Sequence, residues 1–205
     1  MADALRLRTA CVLTDYLEYC ARVPGSAPRP PSTPEAAVLR SVATHLRQRY
    51  QHVWSHYRGY RGNRIELVTQ VAHETLHGSR SPTWGRVVAL VTFAGTLLER
   101  PPRGHTLALK EREADVERDC QSLVALLCDW LTGQHGAWLQ AQGGWVSGAG
   151  DPRTRWLLSL LHTCTDVLEK TASPSYSVIL YSNNLNLFMD KIIVSSQIFN
   201  ASLPA

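Results

Sequence analysis

From Trp84 to Leu98 the chain reads WGRVVALVTFAGTLL, and its only clearly polar side chains are Arg86, Thr92 and Thr96. A helix that is apolar on every side must be covered all round, by protein or by lipid. At about 15 residues the run falls short of the roughly 20 that span a bilayer, so it is expected to be a buried core helix. Ser81 is expected to cap it and Pro82 to open its first turn, where a missing N–H costs nothing. Arg86 is then a permanent charge in apolar surroundings, and such a residue requires a carboxylate partner.

The other periodic stretches are amphipathic. Residues 4–21 carry Leu5, Val12, Leu13, Tyr16, Leu17 and Cys20 near one helical face, with Asp3 as the expected cap. Residues 22–34 hold five of the 11 prolines and read as a loop. Thr33 and Pro34 open a second helix that is expected to continue to Tyr57. Its stripe is Leu39, Val42, Ala43, Leu46, Tyr50, Val53, Trp54 and Tyr57. A shorter third helix is expected over Arg64 to His77, ended by Gly78. After the break at residues 100–104, Val116, Cys120, Leu123, Leu127 and Trp130 mark a long amphipathic helix from Leu107 to Thr132, closed by Gly133. A short helix, His135 to Gln142, ends at Gly143 and Gly144.

Nothing up to Gly144 reads as a strand, so the body is expected to be all-α, a helical domain over 1–145. Residues 146–205 are expected to be a divergent tail, with one helix over 151–171 and irregular chain beyond.

Composition narrows the class. Hydrophobic residues make up 44% and charged residues 19% of 205, which describes a globular protein with a core. The net charge is only +4, but between Arg22 and Arg64 eight arginines face one acid, Glu35. The five cysteines follow no metal-ligand spacing, and without a secretory signal they are expected to be free thiols in a reducing compartment. No run of 18 apolar residues occurs, so no membrane anchor is expected.

Two motifs suggest chemistry. His73-Glu74-Thr75-Leu76-His77 fits H-E-x-x-H, the zinc-hydrolase pattern in which two imidazoles hold the metal and the Glu serves as base. A third ligand would be needed, and Glu99 is the only loose candidate. At 100° per residue, His73 and His77 share a side with Glu66 and Gln70, opposite Ile65, Val68 and Ala72. That is a solvated face, so the enzyme reading is the alternative and no metal or cofactor is expected. The run Arg47 to Arg61 mixes arginines with aromatics, a composition that nucleic-acid and anionic-lipid sites share. Its aromatics continue the apolar stripe of the second helix, so its arginines are expected to form a solvated face and nucleic acid is not an expected partner. No phosphate-binding glycine loop is present.

What remains is packing. A fully apolar helix beside a long amphipathic one, with shorter helices around them, can leave a groove for a partner helix. In a groove binder the ligand can supply the acid for Arg86; an internal salt bridge is the alternative.

Trp84-Gly85-Arg86, followed by Phe93-Ala94-Gly95, resembles the first homology motif of the Bcl-2 family of apoptosis regulators, with Thr83 in the usual Asn place. Trp138-Leu139-Gln140 with Gly143-Gly144-Trp145 resembles the second. Leu39, Val42, Ala43 and Leu46 lie on a helix similar to the third, and Leu13 to Cys20 is similar to the fourth. The phrasing of 85–100 and 137–145 looks closest to one member of that family.

The resemblance implies a bundle around a central hydrophobic hairpin, 81–98 against 107–132. It implies a groove that takes the death-motif helix of pro-apoptotic relatives, with Trp84, Gly85 and Arg86 at the contact and Arg86 on the ligand's Asp. It also implies an anti-apoptotic regulator, not an enzyme, with homo- or heterodimers as partner states. The expected place is cytoplasmic, associating with mitochondria or endoplasmic reticulum. Thr44 stands where the third motif has Asp, which favours a receptor role over a ligand role. After Trp145 the pattern stops at Val146-Ser147-Gly148-Ala149-Gly150, as an alternative exon or a frameshift would produce, and a truncated isoform with reduced groove binding is a further alternative.

Overall fold

In a computed structural model the described residues are 2–60, 62–76, 82–100 and 108–145. The expected tail, its helix over 151–171, and His77 all lie outside them. Among the described residues every regular element is helical: α1 (Ala2–Ala21), α2 (Pro34–Arg49), α3 (Gln51–Trp54), α4 (Arg64–Leu76), α5 (Trp84–Leu97), α6 (Ala108–Asp129) and α7 (Gly136–Ala141).

The apolar helix behaves as its composition demands. Thirteen of the 14 residues of α5 are buried, and Arg86 is the exception. Thr92 and Thr96 are fully buried too, because each hydroxyl donates to the carbonyl four residues back, Val88 at 2.7 Å and Thr92 at 2.9 Å. Around α5 pack α1, α2 and α4, while α1 also lies closely along α6. Of the two helices of the expected hairpin, α5 and α6, each packs against α1. Gly95 lets α1 approach: a Cβ there would stand 2.8 Å from Cys20 Sγ and 2.9 Å from Tyr16 Cε1.

Several boundaries differ from expectation. The cap of α5 is Thr83, not Ser81; Thr83 is extended and its hydroxyl accepts the Arg86 N–H at 3.4 Å. Asp3 lies inside the first turn of α1 instead of capping it. The second helix breaks at Tyr50, whose φ of −109° and ψ of 35° leave the helical region, and resumes as α3 and a 3-10 turn, Ser55–Tyr57. The stripe survives the break, since Tyr50, Val53, Trp54 and Tyr57 are all buried and Tyr57 meets Phe93 edge-on at 4.9 Å. Past Asp129 the sixth helix widens into a π-helical turn, Trp130–Gln134, so Gly133 sits within that turn and does not close an α-helix.

The arginine-rich stretch requires the largest correction. Arg58 stays exposed as a solvated face requires, but it and the partly buried Arg47 each reach an acid elsewhere in the fold, as do Arg40 and Arg64 on either side of the run. Arg40 meets Asp15 of α1 at 2.7 Å, and Arg64 meets Asp119 of α6 at 2.6 Å while also donating to Leu97 O at 2.9 Å. Arg47 and Arg58 converge on Glu99, just past α5. A guanidinium has five donors in a fixed fork, so one arginine can tie two or three elements at once. The carbonyls at the end of α5 carry its negative dipole end, which suits the cation placed there.

Candidate partner-binding site

The first and second motifs lie about 50 residues apart in sequence and meet in space. Thr83 starts α5 so that Trp84 and Arg86 fall in its first turn. At the other end, Gly143 and Gly144 have φ of 83° and 68° and turn the chain back after α7, with Gly144 N–H donating to Leu139 O at 2.8 Å. That reversal delivers Trp145 to Trp84, ring centroids 5.3 Å apart, and Trp138 flanks Trp84 at 5.1 Å. Trp84 and Trp145 are each 4% exposed, so the cluster is nearly dry. A buried indole N–H needs an acceptor, and that of Trp145 has Thr9 Oγ1 of α1 at 2.9 Å.

Arg86 emerges partly exposed from the same turn that Trp84 anchors, and Gly85 between them is buried. The arrangement places a partly exposed guanidinium beside the buried tryptophan cluster.

The residues of the third motif have a different fate. Leu39, Val42, Ala43 and Leu46 are 1–3% exposed and form part of the core. Thr44 is exposed, and its hydroxyl donates to Arg40 O at 2.7 Å. The fourth-motif residues Leu13, Tyr16, Leu17 and Cys20 are buried on α1.

The zinc pattern finds no support. His73 is exposed on α4, as a solvated face requires, and Glu99 is committed to Arg47 and Arg58. Among the described residues no three His, Cys, Asp or Glu side chains are grouped to hold a metal.

Sequence reasoning missed Thr9 and Asp15, and it named Gly95 only as a letter of the first motif, without the close approach of α1. Thr9 sits on the α1 stripe between Leu5 and Leu13, and a polar residue in a buried stripe was the signal. Asp15 carried no local signal, because its partners Arg40 and Ser32 lie on the next helix and loop. Among the described residues there is also a cavity of about 770 Å³ between α1, the 22–33 segment and α6, lined by Cys11, Asp15, Tyr19, Arg22 and Cys120 among others.

An all-α body wrapped around one buried helix, with two tryptophan motifs meeting at its start, is the architecture that the motif resemblance implies. The family model for apoptosis regulator proteins of the Bcl-2 family matches residues 39–145, and the chain belongs to that family. It is therefore a non-enzymatic regulator of apoptosis. It is 61% identical over 153 residues to human Bcl-2-like protein 10, covering 71% of this chain and 75% of that one. That relative is the Bcl-B (Diva or Boo) protein, the family member to which the phrasing of 85–100 and 137–145 points. Among solved structures, the solution structure of a divergent Bcl-2 protein is 38% identical with a TM-score of 0.60, covering 75% of this chain and 89% of the other. The crystal structure of the zebrafish pro-survival protein NRZ with a Bad BH3 is 25% identical with a TM-score of 0.54, covering 71% and 92%.

Proposed function

We infer that this chain restrains cell death by holding the amphipathic death-motif helix of a pro-apoptotic relative in a groove beside the start of α5. The observation that carries this reading is the exposure pattern of α5: everything from Trp84 to Leu97 is buried except Arg86. A partly exposed cation at the start of an apolar helix suits a ligand that is apolar along one face and acidic at one position. The structural likeness to a zebrafish pro-survival protein that binds a Bad BH3 supports both the mode and the protective sign. Trp84 and Gly85 set where the guanidinium stands, and Trp138, Gly143, Gly144 and Trp145 hold Trp84 from behind. The receptor role is also favoured by α2, whose motif face is spent in the core.

Titration with a Bad BH3 peptide tests the reading. Saturable binding is expected, with Arg86→Glu weakening it by about 2 kcal/mol or more, the scale of a binding hot spot. No saturable binding, or binding indifferent to Arg86→Glu, overturns it.

A further inference from the structure

The geometry points to Thr9 as a positioning residue for the partner site, acting from α1 through Trp145 and Trp84 on the turn that bears Arg86. This deepens the groove reading and rests on it.

Thr9 is wholly buried, and its hydroxyl is used twice: it donates to Leu5 O at 2.8 Å and accepts the Trp145 indole N–H at 2.9 Å. The first bond fixes the hydroxyl proton along α1, which leaves an oxygen lone pair aimed at Trp145. The second fixes the height and tilt of the Trp145 ring. That ring stands at 66° to Trp84 with centroids 5.3 Å apart, a near edge-to-face contact whose energy depends on orientation. Trp84 is the first residue of α5, and Arg86 lies two residues on. Three residues distant in sequence thus form one chain of directional contacts, which ends at the turn carrying the cation.

The hydrogen bond is the link that decides. Removing the hydroxyl while keeping the shape leaves a buried indole N–H without an acceptor, and an unsatisfied buried donor is more costly than the bond itself was favourable. The ring must rotate toward another acceptor or toward water, and either movement changes the surface against which Trp84 packs. The stripe neighbours that flank Thr9, Leu5, Val12 and Leu13, carry no side-chain oxygen.

The experiment compares Thr9→Val, Thr9→Ser and Val12→Ala in the full chain. Val12 is equally buried on α1 and belongs to the core, so Val12→Ala reports general loss of stability. In the free protein, nitrogen–proton NMR follows the indole signals of Trp84 and Trp145 and the backbone amides of Gly85 and Arg86. Thr9→Val is expected to shift all four, Thr9→Ser to leave them near wild type, and Val12→Ala to move the unfolding midpoint without shifting Gly85 and Arg86. With a Bad BH3 peptide, Thr9→Val is expected to weaken binding about fivefold, within the range that packed networks transmit, and Thr9→Ser to restore it. Unmoved Trp84, Gly85 and Arg86 signals in Thr9→Val overturn the proposal, as does affinity that falls equally in Val12→Ala. If the wild-type chain binds no peptide, the groove reading fails by itself, and the free-protein signals still decide whether Thr9 sets the start of α5.

Discussion

Arg40 and Asp15 form an ion pair at 2.7 Å in which the side chains are only 12% and 6% exposed. The same guanidinium donates to Arg29 O at 2.7 Å, and the other Asp15 oxygen accepts the Ser32 N–H at 2.7 Å. One pair therefore fastens the 22–33 segment to both α1 and α2. Removing Asp15 would leave a largely buried cation without its acid. Asp15→Ala is expected to lower stability by about 3 kcal/mol, the scale for breaking a buried pair. Denaturant unfolding checks the magnitude. Hydrogen exchange should show lost protection in 22–33 first, and unchanged exchange there would contradict the fastening role.

Gly95 tests how closely α1 sits on α5. A methyl group there would collide with Cys20 Sγ and Tyr16 Cε1 at under 3 Å. Gly95→Ala is expected to cost about 1–3 kcal/mol, the usual penalty for overpacking. Cys20→Ala in the same chain should recover part of that loss and leave the part due to Tyr16. A double-mutant cycle on thermal or denaturant midpoints measures the coupling.

Gly144 is a milder case with a different cause. Its φ of 68° is disfavoured for any residue with a side chain, and a Cβ would touch Leu5 Cδ1 at 3.1 Å. Gly144→Ala is expected to cost about 1–2 kcal/mol, the strain of a left-handed residue. The fluorescence of the tryptophan cluster should change with it, because the turn at 143–144 delivers Trp145.

The cysteines predict an alkaline limit. Burial pushes the Cys120 thiol from 9.0 up to about 12, and burial also raises Cys20, Cys128 and the Tyr16 phenol. For these groups the folded state favours the proton. Their contribution to stability is complete below the unfolded thiol value near 9 and is lost as pH rises from about 9 toward 12. Unfolding free energy measured across that range should fall with pH, and a flat profile would count against the burial. At neutral pH an alkylating reagent should modify exposed Cys11 quickly, and Cys20, Cys120 and Cys128 only on unfolding. Mass spectrometry of the labelled chain reads the order.

The helices were legible because periodicity is written locally. The stripe from Leu39 to Tyr57 and the apolar run from Val87 to Leu98 both needed only spacing, and both are buried as spacing required. The two tryptophan motifs were legible as well, since each is a short word in the chain. Their meeting was not, because no spacing relates Trp84 to Trp145 or either of them to Thr9. The arginines failed for the same physical reason. Arg47 looks like a surface residue until Glu99, 52 positions later, is folded against it. Helix ends were blurred where two nearby residues, Ser81 and Thr83, could cap by the same hydroxyl chemistry, and spacing alone did not choose Thr83, whose hydroxyl accepts the Arg86 N–H.

The burial of Leu39, Val42, Ala43 and Leu46 has a consequence for what the molecule can offer to others. All four are held in the core, so α2 cannot turn them outward as a rigid unit without dismantling the packing with α1 and α5. The population able to lend this helix to another protein is then limited to molecules that have opened at least this part of the core. If the chain receives a helix as proposed, exchange of partners is asymmetric: receiving draws on the native ensemble, whereas donating draws on opened molecules.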